Sequence, residues 1–130
     1  MSLRLLVVDD SAVMRRTIQR AIDVSSLPVK SCLTAEHGKA ALSLLRAHEI
    51  DLMLVDLNMP EMRGDDLVRE LQNDPAQKPI PFIVISADTT ASRIQEMLDL
   101  GAAAYIPKPF APSTLQSELT KVLEQMHAHA

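Results

Sequence analysis

The sequence is poor in cysteine and in aromatic residues. It has one cysteine, no tryptophan, one tyrosine and two phenylalanines among its 130 residues. A single cysteine cannot form a disulfide within the chain. Because Cys32 lies in an apolar stretch, we expect an unreactive core thiol in a reducing compartment. The scarcity of aromatic rings excludes the stacking platforms with which proteins bind single-stranded nucleic acid.

The chain also lacks an excess of positive charge and a long apolar segment. Its formal net charge is -4, whereas a nucleic-acid surface requires clustered lysine and arginine. No apolar run approaches the roughly 20 residues that span a bilayer, and no signal-peptide core precedes Asp9 and Asp10. We therefore expect a cytoplasmic protein that binds neither nucleic acid nor membrane.

What the sequence does contain is an alternation of apolar runs and helical patterns. Five short apolar runs are typical of buried strands, and apolar residues at helical spacing follow each one. Gly101 is a natural helix C-cap, and Pro112 with Ser113 is typical of a helix start. This alternation predicts one domain, with a parallel sheet covered by helices on both faces. The predicted strands are 3–8, 29–34, 52–55, 82–85 and 103–106.

Polar side chains that could bind a ligand or take part in a reaction follow four of the predicted strands. Asp9 and Asp10 follow the first strand, Asp56 the third, Ser86 the fourth and Lys108 the fifth. The carboxyl ends of parallel strands meet at one edge of the sheet, where open α/β sheets bind their ligands, so we expect these groups to converge. Each residue alone is also typical of a helix cap or an exposed loop. Four compatible groups at four strand ends favour a shared site.

The converging carboxylates predict a bound cation, because three carboxylates would otherwise repel one another and raise their own pKa values. Their oxygens suit Mg²⁺, which also binds phosphate oxygens. The histidines and the cysteine lack the spacing of zinc ligands. We expect a phosphoryl group between this metal, the Lys108 ammonium and the Ser86 hydroxyl, with Asp56 as a possible attacking nucleophile.

Four segments of the chain together carry a family resemblance. They are Val7-Val8-Asp9-Asp10-Ser11, Val55-Asp56-Leu57-Asn58-Met59-Pro60 with Gly64 following, Ser86-Ala87-Asp88, and Lys108-Pro109-Phe110. In these segments the chain resembles the response-regulator receiver domains of two-component signalling, and most closely the stand-alone chemotaxis receivers. The resemblance implies a flavodoxin-like (βα)5 fold with a five-stranded parallel sheet in the order 2-1-3-4-5. It also implies a single receiver domain over residues 1–130, without an output domain.

The resemblance further implies a Mg²⁺ site and a phosphoryl site that share the phosphoacceptor, Asp56. The implied metal ligands are Asp9, Asp10, Asp56 and the backbone carbonyl of Asn58. The implied phosphoryl-binding groups are Lys108, Ser86 and the backbone of Ala87. The peptide bond between Lys108 and Pro109 is expected to be cis, which would direct the lysine inward.

A conformational switch is also part of the resemblance. Phosphorylation would attract Ser86, move the loop that follows it and let Tyr105 pack inward. The face formed by the fourth helix, the fifth strand and the fifth helix would then bind a downstream protein. The phosphoryl donor would be a sensor histidine kinase or a phosphotransfer protein, and the receiver a monomer or a phosphorylation-dependent dimer. Asn58 and Asp88 would tune hydrolysis of the aspartyl phosphate.

Other functions remain open from the sequence. One is a Mg²⁺-dependent phosphohydrolase with Asp56 as nucleophile, although no second aspartate lies two residues further on and no cap segment could enclose a substrate. Another is a structural adaptor that is never phosphorylated, which the complete set of polar residues disfavours. The chain could also be a receiver excised from a larger response regulator or hybrid kinase. The prediction is a signalling switch and not an enzyme, a phosphoacceptor that catalyses its own phosphorylation and dephosphorylation.

Overall fold

The computed structural model describes residues 2–128, which alternate between strands and helices. The strands are β1 Leu3–Val8, β2 Val29–Ala35, β3 Leu52–Val55, β4 Phe82–Ser86 and β5 Ala104–Pro107. The helices are α1 Ala12–Asp23, α2 Gly38–Ala47, α3 Gly64–Asn73, α4 Ala91–Leu100 and α5 Pro112–Ala128. The strands pair in parallel in the order β2-β1-β3-β4-β5. The predicted flavodoxin-like topology is confirmed.

The sheet is buried on both faces because its central strands are continuously apolar. Successive side chains of a strand point to opposite faces. In β1, Leu5 and Val7 belong to a core that α1 and α5 complete, whereas Leu6 and Val8 belong to a second core under α2, α3 and α4. An apolar strand of this kind requires helices on both sides, which explains the three-layer arrangement.

Helix α4 ends at Gly101, as predicted from the sequence. Gly101 has φ of 111°, in the left-handed region that favours glycine, and its N–H donates to the carbonyl of Leu98. Helix α5 begins at Pro112, also as predicted. Among the helices of residues 2–128, none combines the length and the apolar character needed to cross a bilayer.

Cys32 lies half-buried in β2. Burial raises the pKa of its thiol to about 11, and the charge of Asp23 adds to this effect. Because the thiolate is the reactive form, a thiol with this pKa is inert at neutral pH. The prediction of an unreactive thiol agrees with this environment.

The end of β4 differs from the prediction, because Ser86 is the last residue of the strand and not the first residue after it. Ser86 pairs in register with Pro107 of β5. Its carbonyl accepts a hydrogen bond of 2.9 Å from the N–H of Lys108. This pairing extends β4 by one residue. The sheet therefore fixes the backbone of both Ser86 and Lys108.

Gly64 allows α3 to begin directly against the segment that carries Asp56. The Gly64 N–H donates to the carbonyl of Leu57 at 3.2 Å. A Cβ atom on Gly64 would overlap the carbonyl oxygen of Asp56. Because backbone cannot move aside as a flexible side chain can, the start of α3 and the backbone of Asp56 are held in one arrangement.

Replacing Gly64 with alanine is therefore expected to lower the free energy of unfolding by about 1–3 kcal/mol, the usual cost of overpacking. The matched control is Gly38→Ala, whose added Cβ would overlap Sδ of Met62 and lie 2.9 Å from its Cβ. Rotation of that side chain removes the Sδ contact and leaves a shift of a few tenths of an ångström at Cβ, whereas the overlap at Gly64 is closer and is with backbone. The control should therefore cost less. Urea unfolding followed by circular dichroism measures both variants. Equal losses in the two variants would contradict this account of Gly64.

Candidate functional site

Hydrogen bonds of the sheet continue one residue past the strand ends and fix two buried aspartates. The Asp9 N–H donates to the carbonyl of Ala35 at 3.1 Å, and the Asp56 N–H donates to the carbonyl of Val8 at 2.9 Å. Both aspartates are almost inaccessible to solvent. The backbone pairing that builds the sheet therefore also sets the positions of these two carboxylates.

Asp9, Asp10 and Asp56 form a carboxylate cluster at the carboxyl edge of the sheet. Each offers a carboxylate oxygen within 4.8 Å of the other two, with Asp10 on the solvent side. Three hard oxygen donors at this spacing fit a divalent cation such as Mg²⁺. Asn58 lies beside the cluster, and its N–H donates to Asp56 Oδ1 at 3.3 Å. The role of its carbonyl as a metal ligand remains a prediction.

Lys108 reaches into this cluster from the end of β5. Its Nζ lies 2.7 Å from Asp9 Oδ2 and 3.4 Å from Asp56 Oδ2. The peptide bond between Lys108 and Pro109 is cis. One ammonium group thus contacts both buried carboxylates, so the structure brings together the side chains of β1, β3 and β5 that the sequence singled out.

The carboxyl group of Asp56 is in an unfavourable environment for its charge. Burial raises the pKa of Asp56, and the neighbouring charge of Asp9 raises it further. Lys108 and the N–H of Asn58 act in the opposite direction but do not offset burial, so the pKa stays above its usual value. A cation beside Asp56 would stabilise the charged form of this carboxyl group.

The loop 87–90, between β4 and α4, is tied down by its own hydrogen bonds. Ser86 Oγ accepts from the Asp88 N–H at 3.1 Å, and Asp88 Oδ1 accepts from the N–H and the hydroxyl of Thr90 at 3.1 and 2.8 Å. The hydroxyl of the half-buried Tyr105 donates to the carbonyl of Asp88. Ala87 is exposed at the sheet edge. The two predicted switch residues, Ser86 and Tyr105, therefore both bond to Asp88 of this loop. The role of Asp88 in tuning hydrolysis remains a prediction.

Sequence reasoning did not identify Arg15. Its Nη1 donates to the carbonyl of Asp9 at 2.7 Å, while Asp9 Oδ1 accepts from the N–H of Ser11 at 2.9 Å. The available signal was a basic residue in the first turn of α1, where the helix dipole disfavours positive charge. Arg15 therefore supports the backbone that presents Asp9.

Comparison with known proteins identifies the family. The response regulator receiver domain matches residues 5–120 of this chain. The chain belongs to the response regulator receiver family. Receiver domains are phosphorylation-controlled switches of two-component signalling, and the family uses Mg²⁺ at an acidic pocket. The predictions of family and of general function are confirmed.

Similar proteins extend this likeness over nearly the whole chain. Chemotaxis protein CheY1 of Helicobacter pylori is 40% identical over 122 residues, which are 93% of this chain and 97% of CheY1. Chemotaxis protein CheY-3 of Vibrio cholerae is 32% identical over 125 residues, 96% of this chain and 95% of that protein. The solved structure of CheY4 from Vibrio cholerae has a TM-score of 0.82 at 28% identity and covers 94% of this chain and 99% of its own.

Without metal, Asp56→Asn is expected to stabilise this receiver more at about pH 7 than at about pH 4. Because the pKa of Asp56 is raised in the folded state, folding stability from this carboxyl is present below the unfolded pKa. It is lost as the pH rises through the folded pKa. Asparagine does not titrate, so the variant escapes this loss. Urea unfolding in a chelating buffer at both pH values measures the difference.

The control variant for this comparison is Glu124→Gln, which removes one negative charge from an exposed position within α5. A gain from Asp56→Asn that is the same at both pH values, or that Glu124→Gln reproduces, would show that the environment of Asp56 is not the cause.

Proposed function

We propose that this receiver is phosphorylated on a carboxylate oxygen of Asp56 and that the phosphoryl group switches its affinity for a protein partner. The observation that supports this most strongly is the placement of Asp56. Its carboxylate is buried, lies 3.4 Å from the Lys108 ammonium and shares a cluster with Asp9 and Asp10. A nucleophilic carboxylate, a fixed cation and two metal-binding carboxylates are the groups that phosphoryl transfer to aspartate requires.

In the proposed step, an oxygen of Asp56 attacks the phosphorus of a phosphohistidine on a sensor histidine kinase or phosphotransfer protein. The O–P bond forms as the P–N bond breaks, and the imidazole leaves with the electron pair of that bond. Lys108 contacts the carboxylates of Asp9 and Asp56 before transfer. Its ammonium would then pair with the phosphoryl group, because that group brings the larger negative charge.

The proposed cofactor is Mg²⁺, which Asp9, Asp10, Asp56 and the backbone carbonyl of Asn58 would hold. When bound, it would neutralise charge on the phosphoryl oxygens. The arrangement of three carboxylate oxygens within 4.8 Å of one another supports this assignment. The chain's own residues position these donors, since Arg15 and the sheet hold the backbone of Asp9.

The proposed output begins at Ser86. Its hydroxyl and the backbone of Ala87 would bind the phosphoryl group and draw the loop 87–90 towards Asp56. Tyr105 would follow, because its hydroxyl is bonded to the carbonyl of Asp88 in that loop. The outer face of α4, β5 and α5 would change with Tyr105. On α4, the large apolar residue Leu98 is 43% exposed.

A downstream protein is the proposed partner for this face, and the names of the relatives favour a chemotaxis pathway. Asn58 and Asp88 are proposed to tune how fast the phosphoryl group is lost. The phosphohydrolase alternative gains no support, because the relatives described above are named chemotaxis proteins and none is named a phosphohydrolase.

Intact-mass spectrometry after incubation with acetyl phosphate and Mg²⁺ tests the proposal. We expect an adduct of about 80 Da, one phosphoryl group on a carboxylate, which hydroxylamine removes. The adduct should be absent from Asp56→Asn and absent when the metal is chelated. The matched control is Asp51→Asn, which changes an aspartate at the opposite end of β3 and should keep the adduct.

The remaining outcomes are distinct. An adduct that persists in Asp56→Asn would place the acceptor elsewhere. Phosphate release that depends on Asp56 without a stable adduct would indicate a rapidly hydrolysed intermediate, as in the hydrolase alternative. The absence of both adduct and release would favour an adaptor that is not phosphorylated.

A further inference from the structure

A network of five charged side chains joins α3 to α4 beside the proposed switch. Asp65 in the first turn of α3 is buried, with 7% of its side chain exposed. Its carboxylate contacts Arg69 at 2.8 Å, Arg93 at 3.0 Å and Arg63 at 3.4 Å. Glu96 completes the network with contacts of 3.0 Å to both Arg69 and Arg93. None of these ion pairs includes a residue of the carboxylate cluster or Lys108.

Two of these ion pairs cross between helices. They are Asp65 with Arg93 and Arg69 with Glu96, and we call them the α3–α4 clamp. The pair Asp65–Arg93 is the more buried, because only 12% of the Arg93 side chain is exposed. Burial raises the pKa of Asp65, but the Arg69 and Arg93 guanidinium groups outweigh burial and hold the pKa below its usual value. Asp65 is therefore charged in the folded protein.

The α3 end of the clamp is fixed and the α4 end is loosely held. Helix α3 starts against the Asp56 backbone through Gly64 and also buries Leu67 and Val68. Within α4, by contrast, the only buried residue is Met97. Helices with few buried apolar residues open at low energy. Ion pairs therefore contribute a larger share of what holds α4 than of what holds α3.

The network can also separate between the helices without leaving a charge unpaired. If α4 moves, Asp65 keeps Arg69 on its own helix at position i+4, and Arg93 keeps Glu96 on its own helix at position i+3. An ionic contact that left a buried charge alone would be costly to open. In the contact between Asp65 and Arg93, each charge has a second partner on its own helix, so the contact can open and close reversibly.

The clamp lies next to the loop 87–90. Arg93 is in the first turn of α4, directly after this loop. Hydrogen bonds from Thr90 hold the pKa of Asp88 below its usual value, and the charges of Arg93 and Arg63 add to the effect. Any movement of the loop towards Asp56 must be passed to the α4 turn that carries Arg93.

We propose that the α3–α4 clamp holds α4 in its unphosphorylated position and so opposes the switch. This inference rests on the proposed function, since it requires that a phosphoryl group on Asp56 draws the loop and α4 away from this position. By linkage, an interaction that favours the unphosphorylated arrangement weakens binding of anything that favours the other one. Loss of the clamp should therefore strengthen binding of a phosphoryl mimic.

The test is an equilibrium titration with beryllium fluoride in the presence of Mg²⁺, on the wild type and on Asp65→Asn, Arg93→Gln and the double variant. Tyr105 is the single tyrosine and the chain has no tryptophan, so intrinsic fluorescence reports the switch residue alone. Each single variant should bind the mimic at least about fivefold more tightly, the lower end of typical allosteric coupling. The effects of the two single variants should be less than additive in the double variant, because both remove the Asp65–Arg93 pair.

The control is Glu70→Gln, which changes an exposed acidic residue of α3 that takes no part in the ion pairs of this network. It should titrate like the wild type. Arg93→Gln carries the test if Asp65→Asn does not fold, because Asp65 then keeps Arg69 and Arg63. General destabilisation would not tighten binding, so tighter binding separates the clamp from a merely structural role.

Unchanged or weaker binding in the folded single variants would overturn the clamp, as would additive effects in the double variant. Failure of the proposed function has a different signature. In that case the wild type itself would not bind beryllium fluoride, or Asp56→Asn would bind it equally well.

Discussion

The contact of one ammonium group with two buried carboxylates is the interaction on which this site depends. Lys108 Nζ lies within 2.7 Å of Asp9 and 3.4 Å of Asp56. Two buried carboxylates without a cation would repel each other, and burial of isolated charge is costly. Lys108 offsets the cost of burying these carboxylates only in part, because the pKa of Asp56 remains raised. A site with incompletely balanced negative charge is one that attracts a divalent cation.

The sheet supplies the rigidity that this balance needs. Asp9, Asp56 and Lys108 all follow strands, and the N–H of each belongs to the hydrogen-bond ladder. The neighbouring helices add two further supports, since Arg15 bonds to the carbonyl of Asp9 and Gly64 packs against the carbonyl of Asp56. These three side chains therefore stand on backbone that is held by the sheet and by the neighbouring helices. In contrast, Met97 is the only buried residue of α4, so we expect movement to be concentrated in that helix.

On the proposed function, the contrast between the rigidly held Asp56 and the less buried α4 would let one charge on Asp56 control a surface. Ser86 is fixed as the last residue of β4, and Tyr105 is bonded to Asp88 in the following loop. A phosphoryl group would act on the loop through Ser86, and the α3–α4 clamp would act against it from the other side. The balance between these two electrostatic contacts would then set how much of the protein adopts the switched form.

The strand–helix alternation and the convergence of Asp9, Asp56 and Lys108 could be predicted because parallel strands place their carboxyl ends at one edge. The one-residue extension of β4 to Ser86 could not, since it depends on pairing with Pro107 across the sheet. The ion pair of Asp65 with Arg93 could not be predicted either. The sequence shows Asp65 only as an acidic residue in the first turn of a helix, and its partner Arg93 lies 28 positions later on another helix. Contacts between helices depend on packing angles, which local pattern does not contain.

Calorimetric titration with Mg²⁺ tests the central claim, that Lys108 and a divalent cation share the same carboxylates. We predict one bound Mg²⁺ in the wild type and severalfold tighter binding in Lys108→Met, because the competing ammonium is removed. Lys121→Met, which changes an exposed lysine on α5, should bind like the wild type. Absence of binding in the wild type, or binding that Lys108→Met leaves unchanged or weakens, would contradict the account.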